Sequence, residues 1–214
     1  MIRLDIFSDP ICPWCLIGKA YLDKALESRP NHPFQIEWHP FQLNPEMPAD
    51  GMDRREYLET KFGGKQKAVE VYAHIAEAAQ DAGVAIDFAA ITRTPNTMDA
   101  HRLIHWAGLE GRQAAAAASL FRAYFKEGRD IGDREVLVEI ATSIGMNAEG
   151  TMRLLESDAD RDDLMARDMD ARQKGLSGVP AFLVAQQYVM SGAQSVETWQ
   201  QVIDELAAQL TQQG

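Results

Sequence analysis

Ser8-Asp9-Pro10-Ile11-Cys12-Pro13-Trp14-Cys15 holds both cysteines of the 214-residue chain and lies between an apolar-rich strand pattern, Ile2 to Phe7, and an amphipathic run, Leu16 to Leu26. With Cys12 as N-cap, Pro13 falls on the first helical position, where its missing N–H is no loss and its fixed φ suits a helix. The Cys12 sulfur then stands where a capping oxygen usually does. It faces the unpaired N–H groups of Trp14 and Cys15 and the positive end of the helix dipole, a setting that favours thiolate over thiol. Cys15 follows close to one turn later on the same face, so the two sulfurs can meet in a short-loop disulfide. Cys12 is expected to be the exposed nucleophile and Cys15 the more buried, resolving thiol.

Outward from this junction, Leu4 and Ile6 alternate with Asp5 and Phe7, and Leu16, Ile17, Ala20, Tyr21, Ala25 and Leu26 form one helical face. After the breaker Ser28-Arg29-Pro30-Asn31-His32-Pro33, Phe34 to Trp38 alternates again, which predicts a βαβ unit with parallel strands. From about Asp53 to Lys174 the pattern is helical: Arg54 to Phe62, Lys65 to Asp81, Met98 to Leu109, Arg112 to Lys126, Asp133 to Ile144, Ala148 to Glu156 and Arg161 to Lys174. Pro180 to Val184 and Tyr188 to Ser191 then predict an antiparallel hairpin, and Val196 to Leu210 a last amphipathic helix. The order βαβ, helical block, ββα implies an α/β protein, with a mixed sheet covered by helices on both faces. Residues 1–48 and 175–214 form the sheet domain in this reading, and 49–174 a helical insertion.

Hydrophobic residues make up 46% and charged residues 25%, an ordinary globular balance. The apolar runs are too short to span a bilayer. A net charge of −11 argues against nucleic acid or an anionic membrane as partner, since both select basic surfaces. The start passes directly into a strand pattern with no leader-like segment, which predicts a cytoplasmic protein. In a reducing compartment a close-spaced cysteine pair is more often catalytic or metal-binding than structural. The five histidines show no ligand spacing that would complete a zinc site with Cys12 and Cys15, and so short a disulfide loop would be a poor staple. Redox chemistry without metal or organic cofactor is the expectation.

Cys12-Pro13-Trp14-Cys15 at the first strand–helix junction, Asn96-Thr97-Met98-Asp99-Ala100-His101-Arg102-Leu103 in the middle, and Gly178-Val179-Pro180-Ala181-Phe182 with Ser191-Gly192-Ala193-Gln194 near the end together resemble the thioredoxin fold with a helical insertion. The resemblance is to the DsbA-like superfamily, and within it to FrnE-like cytoplasmic proteins. It implies a thiol–disulfide oxidoreductase acting on protein or small-molecule thiols and disulfides with an unnamed redox partner. It also implies a cis Val179–Pro180 bond facing the cysteines, where an extended peptide could pair. The same superfamily holds kappa-class glutathione transferases and 2-hydroxychromene-2-carboxylate isomerases, so a glutathione-dependent reaction is the alternative and glutathione a candidate substrate. A non-catalytic peptide-binding or chaperone-like protein is a third reading, and monomer and homodimer both stay open.

Asp5 lies in the strand that, in thioredoxin-like folds, can carry a buried acid relaying a proton to the inner thiol; an acid hydrogen-bonded near the strand edge is the equal alternative. Trp14 is expected at the substrate-facing surface beside Cys12, and Pro13 as the helix starter. Asn96 or Thr97 most simply caps the helix from Met98, and the resemblance sets both near the cleft as substrate contacts with Val179 and Pro180. His101 and His105 share a helical face at a metal-compatible spacing, but Leu103, Ile104 and Trp106 around them point to packing.

Overall fold

Strand β1 (Ile2–Ser8) feeds helix α1 (Pro13–Glu27), with Cys12 at the N-cap in extended geometry and Pro13 starting the helix. The chain returns as β2 (Phe34–Pro40), parallel to β1, with Ile2 opposite Phe34 and Ser8 opposite Pro40. The computed structural model describes residues 1–213, with side chains through residue 211.

A short ladder follows, β3 (Met52–Asp53) pairing with β4 (Arg93–Thr94) across α2 (Arg54–Phe62) and α3 (Lys65–Ala82). Five further helices complete this block: α4 (Met98–Leu109), α5 (Gln113–Phe121), α6 (Arg134–Ser143), α7 (Ala148–Glu156) and α8 (Arg161–Gln173). The helix starts are chemically marked: the Asp53 carboxylate accepts from the Arg55 and Glu56 N–H groups, and the Asn147 side chain from Gly150. Gly63 ends α2 in the left-handed conformation, φ 71°, which costs glycine little. The β3–β4 ladder, and the widening of α5 into a π turn over Arg122–Lys126, are additions to the sequence reading. Elements this short carry no periodic signal.

The chain closes with β5 (Ala181–Val184), β6 (Tyr188–Ser191) and α9 (Val196–Gln213). Ala185, Gln186 and Gln187 link the paired Val184 and Tyr188; Ala185 and Gln186 turn the chain at φ 54° and 58°, both positive, and the Gln187 N–H donates to the Val184 carbonyl at 3.0 Å. The sheet runs β2-β1-β5-β6, with β1 parallel to β2 and antiparallel to β5. Alternation puts Leu4, Ile6, Phe34, Trp38 and Phe182 on one face. There α1 and α9 pack together, and the buried Trp199 ring meets Phe182 and Phe34 edge-on at centroid distances of 4.8 and 6.5 Å. The other face is open at Arg3 and Gln35, so helical cover on both sides, as expected from the element order, is incomplete. Gln113 of α5 closes the outer edge of β2, accepting from the Trp38 N–H at 2.9 Å and donating to the Trp38 carbonyl at 3.0 Å. No helix among the described residues is long and apolar enough to cross a membrane.

Candidate active site

The junction of β1 and α1 carries two free cysteines, Cys12 at the N-cap and Cys15 in the first turn of α1, and the loop before β5 lies against Cys12. Cys12 is 3% exposed and Cys15 2%, which corrects the expectation of an exposed nucleophile above a buried partner. The expected sulfur cap is also absent: the Cys12 side chain makes no bond to the first turn, and its Sγ lies 3.5 Å from the Val179 carbonyl oxygen. Two local facts account for this. The N–H groups of Cys15 and Leu16 are served by the Cys12 main-chain carbonyl, at 3.1 and 3.3 Å, and Val179 offers the thiol an acceptor that also covers it.

The Val179–Pro180 peptide is cis. Gly18, one turn beyond Cys15, allows α1 to come this close, since a Cβ there would stand 3.1 Å from Pro180 Cγ and 3.4 Å from Ala193 Cα. Pro13 is buried, and Trp14 is half-buried with its ring 5.7 Å from that of His74 on α3. Burial pushes the Cys15 thiol well above the usual range and the adjoining Cys12 adds to this, while the Ser8 hydroxyl and the Asp9 main-chain N–H pull it partly back.

Asp5 is buried as expected but faces away from the sulfurs. Ser8, which does reach Cys15, shares its strand face with Leu4 and Ile6, so alternation sends Asp5 to the opposite side. There its carboxylate accepts from Arg3 Nε and His39 Nε2, each at 2.6 Å, with Glu37 beside them. The proton-relay reading of Asp5 fails on this geometry, and the hydrogen-bonded acid is the correct description. Asp5, Glu37 and His39 bring their ligand atoms within 4.8 Å of one another, and the Arg3 guanidinium is the cation this cluster holds.

The buried acid of the site is Asp9, 0% exposed. Its Oδ2 accepts from the Leu43 N–H at 2.7 Å and the Thr97 hydroxyl at 3.4 Å, and its Oδ1 from the Ile11 N–H at 3.3 Å. Burial nevertheless raises its pKa to about 7, against the lowering effect of these bonds. His101 lies beside it, its Nε2 3.9 Å from Asp9 Oδ1, and burial lowers its pKa to about 3.

Asn96 and Thr97 meet the site through Asp9 and the loop after β2 instead of through open surface. Thr97 is the N-cap of α4 but its hydroxyl makes no capping bond, being buried on Asp9; Asn96, one residue earlier, accepts from the Met98 N–H at 3.0 Å through Oδ1 and donates from its amide to the Met47 carbonyl at 2.7 Å. Thr97 ties α4 to the β1–α1 loop through Asp9, and Asn96 ties it to the loop after β2 through Gln42 and Met47. The sequence places the acid Asp9 near the Cys12 thiol, where it would raise the thiol pKa, but gives no sign that Asp9 is buried against Leu43, Thr97 and His101.

Residues 3–204 match the model of the DSBA-like thioredoxin domain, and the chain belongs to that family. Its structure is similar to that of a probable DsbA oxidoreductase from Streptomyces coelicolor, with TM-score 0.84 and 31% identity over 96% of this chain and 89% of that one. The fold is also shared with a 2-hydroxychromene-2-carboxylate isomerase, at TM-score 0.75, 16% identity and 99% coverage of both chains. A third match is the cytosolic disulfide reductase DsbM from Pseudomonas aeruginosa in a structure with GSH, at TM-score 0.69 and 21% identity over 96% of this chain and 99% of that one.

Proposed function

We propose that the protein is a thiol–disulfide oxidoreductase of the FrnE-like kind, working in the cytoplasm on protein or small-molecule disulfides and dithiols. The observation that carries this reading is the placing of two free thiols one turn apart at the start of α1, the first of them against the Val179 carbonyl. The Cys12 thiolate attacks a substrate disulfide, forming one S–S bond as the substrate's own breaks and its first thiolate leaves. Cys15 then attacks the Cys12 sulfur, releasing the second substrate thiol and leaving the Cys12–Cys15 disulfide. A dithiol redox partner returns the pair to the reduced state, and run backwards the cycle oxidises a substrate.

A cavity of about 470 Å³ lined by Gly178, Val179, Pro180, Val189, Ser191 and Gly192 adjoins the loop over Cys12 and supports an extended substrate segment as its occupant. The similarity to a cytosolic disulfide reductase whose structure was solved with GSH supports glutathione as a small-molecule thiol to test. Retention of both cysteines favours exchange over the glutathione-dependent isomerase or transferase reading. The experiment is reduction of insulin disulfides by the wild type, Cys12→Ser and Cys15→Ser. Turnover by the wild type and by neither variant is the expected result, and equal rates in all three would dispose of the proposal.

A further inference from the structure

Two arginines among the described residues are buried, and only one of them meets a carboxylate. Arg102 is paired with Asp99 at 2.9 Å. Arg54, 7% exposed at the start of α2, donates three hydrogen bonds, all to hydroxyls: Nη1 to Thr94 at 3.1 Å and to Tyr124 at 3.2 Å, and Nη2 to Tyr72. The rings of Tyr57, Tyr72 and Tyr124 stand around its guanidinium at 5.6, 5.4 and 5.9 Å. Among the described residues no acid pairs with it, and its Nε–H has no acceptor. A buried charge is costly unless an opposite charge balances it, and ring faces offset only a part of that cost.

Arg54 borders a groove of about 520 Å³ between α2 and α3, a volume within the range of small-molecule sites. Leu58, Ala68, Val69, Tyr72 and Ile91 give it an apolar lining, and Val69 is left 57% exposed. The polar groups still free along it are donors. Tyr72 accepts from Arg54, burial raises its pKa so that the hydroxyl keeps its proton, and that O–H has no acceptor among the described residues. Lys65 makes no ion pair among them, and α3 begins there with no side-chain cap and no acid in its first turn, which leaves its positive end uncompensated. The two bordering acids are engaged: Asp53 caps α2, and Glu59 pairs with Arg55 at 2.9 Å.

We propose that this groove binds a small amphipathic carboxylate, with its acyl chain on Leu58, Val69 and Ile91 and its headgroup on Arg54, Tyr72 and Lys65. One negative charge balances the one buried positive charge, and its oxygens accept from the Arg54 Nε–H and the Tyr72 O–H. The apolar lining holds a hydrocarbon body and offers nothing to a second charge. None of the lining residues belongs to the β1–α1 junction or to the loop of Pro180, so the site is independent of the exchange reaction.

The test is calorimetric titration of the intact protein with octanoate, with octylammonium, which has the same chain and the opposite charge, and with octyl phosphate. Octanoate should bind one molecule per chain, at least about tenfold more tightly than octylammonium, and more tightly than octyl phosphate. Arg54→Gln should abolish octanoate binding. Val69→Glu, a change at an exposed position, should weaken it about tenfold, and this variant keeps the test open if the Arg54 variant does not fold. Leu109→Glu, a matching change at an exposed residue outside the groove, should leave the affinity as it is. No saturable binding of octanoate, equal binding of octylammonium, or an affinity untouched by Val69→Glu would overturn the inference. Tighter binding of octyl phosphate than of octanoate would overturn the carboxylate as its ligand.

Discussion

Cys12 Sγ lies 3.5 Å from the carbonyl oxygen of Val179, a residue 167 positions further along the chain. That contact depends on how closely α1 and the Pro180 loop approach, and Gly18 sets the approach. Gly18→Val should force the loop off the helix, at a cost of about 1–3 kcal/mol for overpacking, and lower the exchange rate more than tenfold in protein that is still folded. Chemical denaturation and insulin reduction measure the two effects, and a variant with wild-type activity would show that the loop contact does not matter.

Asp9 and His101 should leave opposite marks on stability. The folded state raises the Asp9 pKa from 3.8 to about 7, so its contribution to stability is fully present below 3.8 and is lost as pH rises towards 7. The folded state lowers the His101 pKa from 6.5 to about 3, so that contribution is present above 6.5 and is lost as pH falls towards 3. Between 3.8 and 6.5 the two slopes cancel. Asp9→Asn should therefore give a protein whose stability rises with pH across this window, by up to about 1.4 kcal/mol per pH unit, and His101→Phe one whose stability falls. Urea unfolding at a series of pH values checks this, and parallel curves for both variants and the wild type would contradict it.

Asp5 serves the sheet and not the sulfurs. Its bonds to Arg3 and His39, both 2.6 Å, are made on the face away from Ser8. Asp5→Asn should lower stability by about 1.5–3 kcal/mol, the usual worth of hydrogen bonds to a charged group. The rate and pH profile of the Cys15 step should stay as they are. A changed pH profile for the second release of nitrothiobenzoate, when the reduced protein reacts with dithiobis(nitrobenzoate), would reverse the assignment.

Arg102 is the polar hub of the helical block, 0% exposed. It donates to the carbonyls of Leu154, Ser157 and Ala159 at 2.6, 2.8 and 2.8 Å and pairs with Asp99 at 2.9 Å, while its guanidinium stands over the Trp106 ring. Arg102→Met strands these acceptors, and a loss of about 3–5 kcal/mol is expected in equilibrium unfolding. A loss below about 1 kcal/mol would place the pair among weakly contributing surface bridges.

Much of the fold is legible in the sequence because its boundaries are written in local chemistry. Asp53 and Asn147 mark helix starts by capping, Pro13 follows the Cys12 N-cap, and the helices Arg54–Phe62, Met98–Leu109 and Ala148–Glu156 lie where periodicity and breakers set them. The site is less legible, because its decisive contacts join distant segments. Asp9 is held by Leu43 and Thr97, 34 and 88 residues away, and Cys12 is covered by Val179. Sequence shows that an acid precedes the cysteines; only the packed chain shows that Asp9 is fully buried and which groups hold its carboxylate. The face taken by Asp5 is decided by strand register, where one residue exchanges the two sides of the sheet.

The most direct measurement uses Cys15→Ser with an excess of dithiobis(nitrobenzoate), followed by intact-mass and peptide mass analysis. A single stable nitrothiobenzoate adduct on Cys12, lost from the wild type as its internal disulfide forms, is the result predicted. An adduct that persists equally in the wild type, or a Cys12 that does not react, would contradict the account.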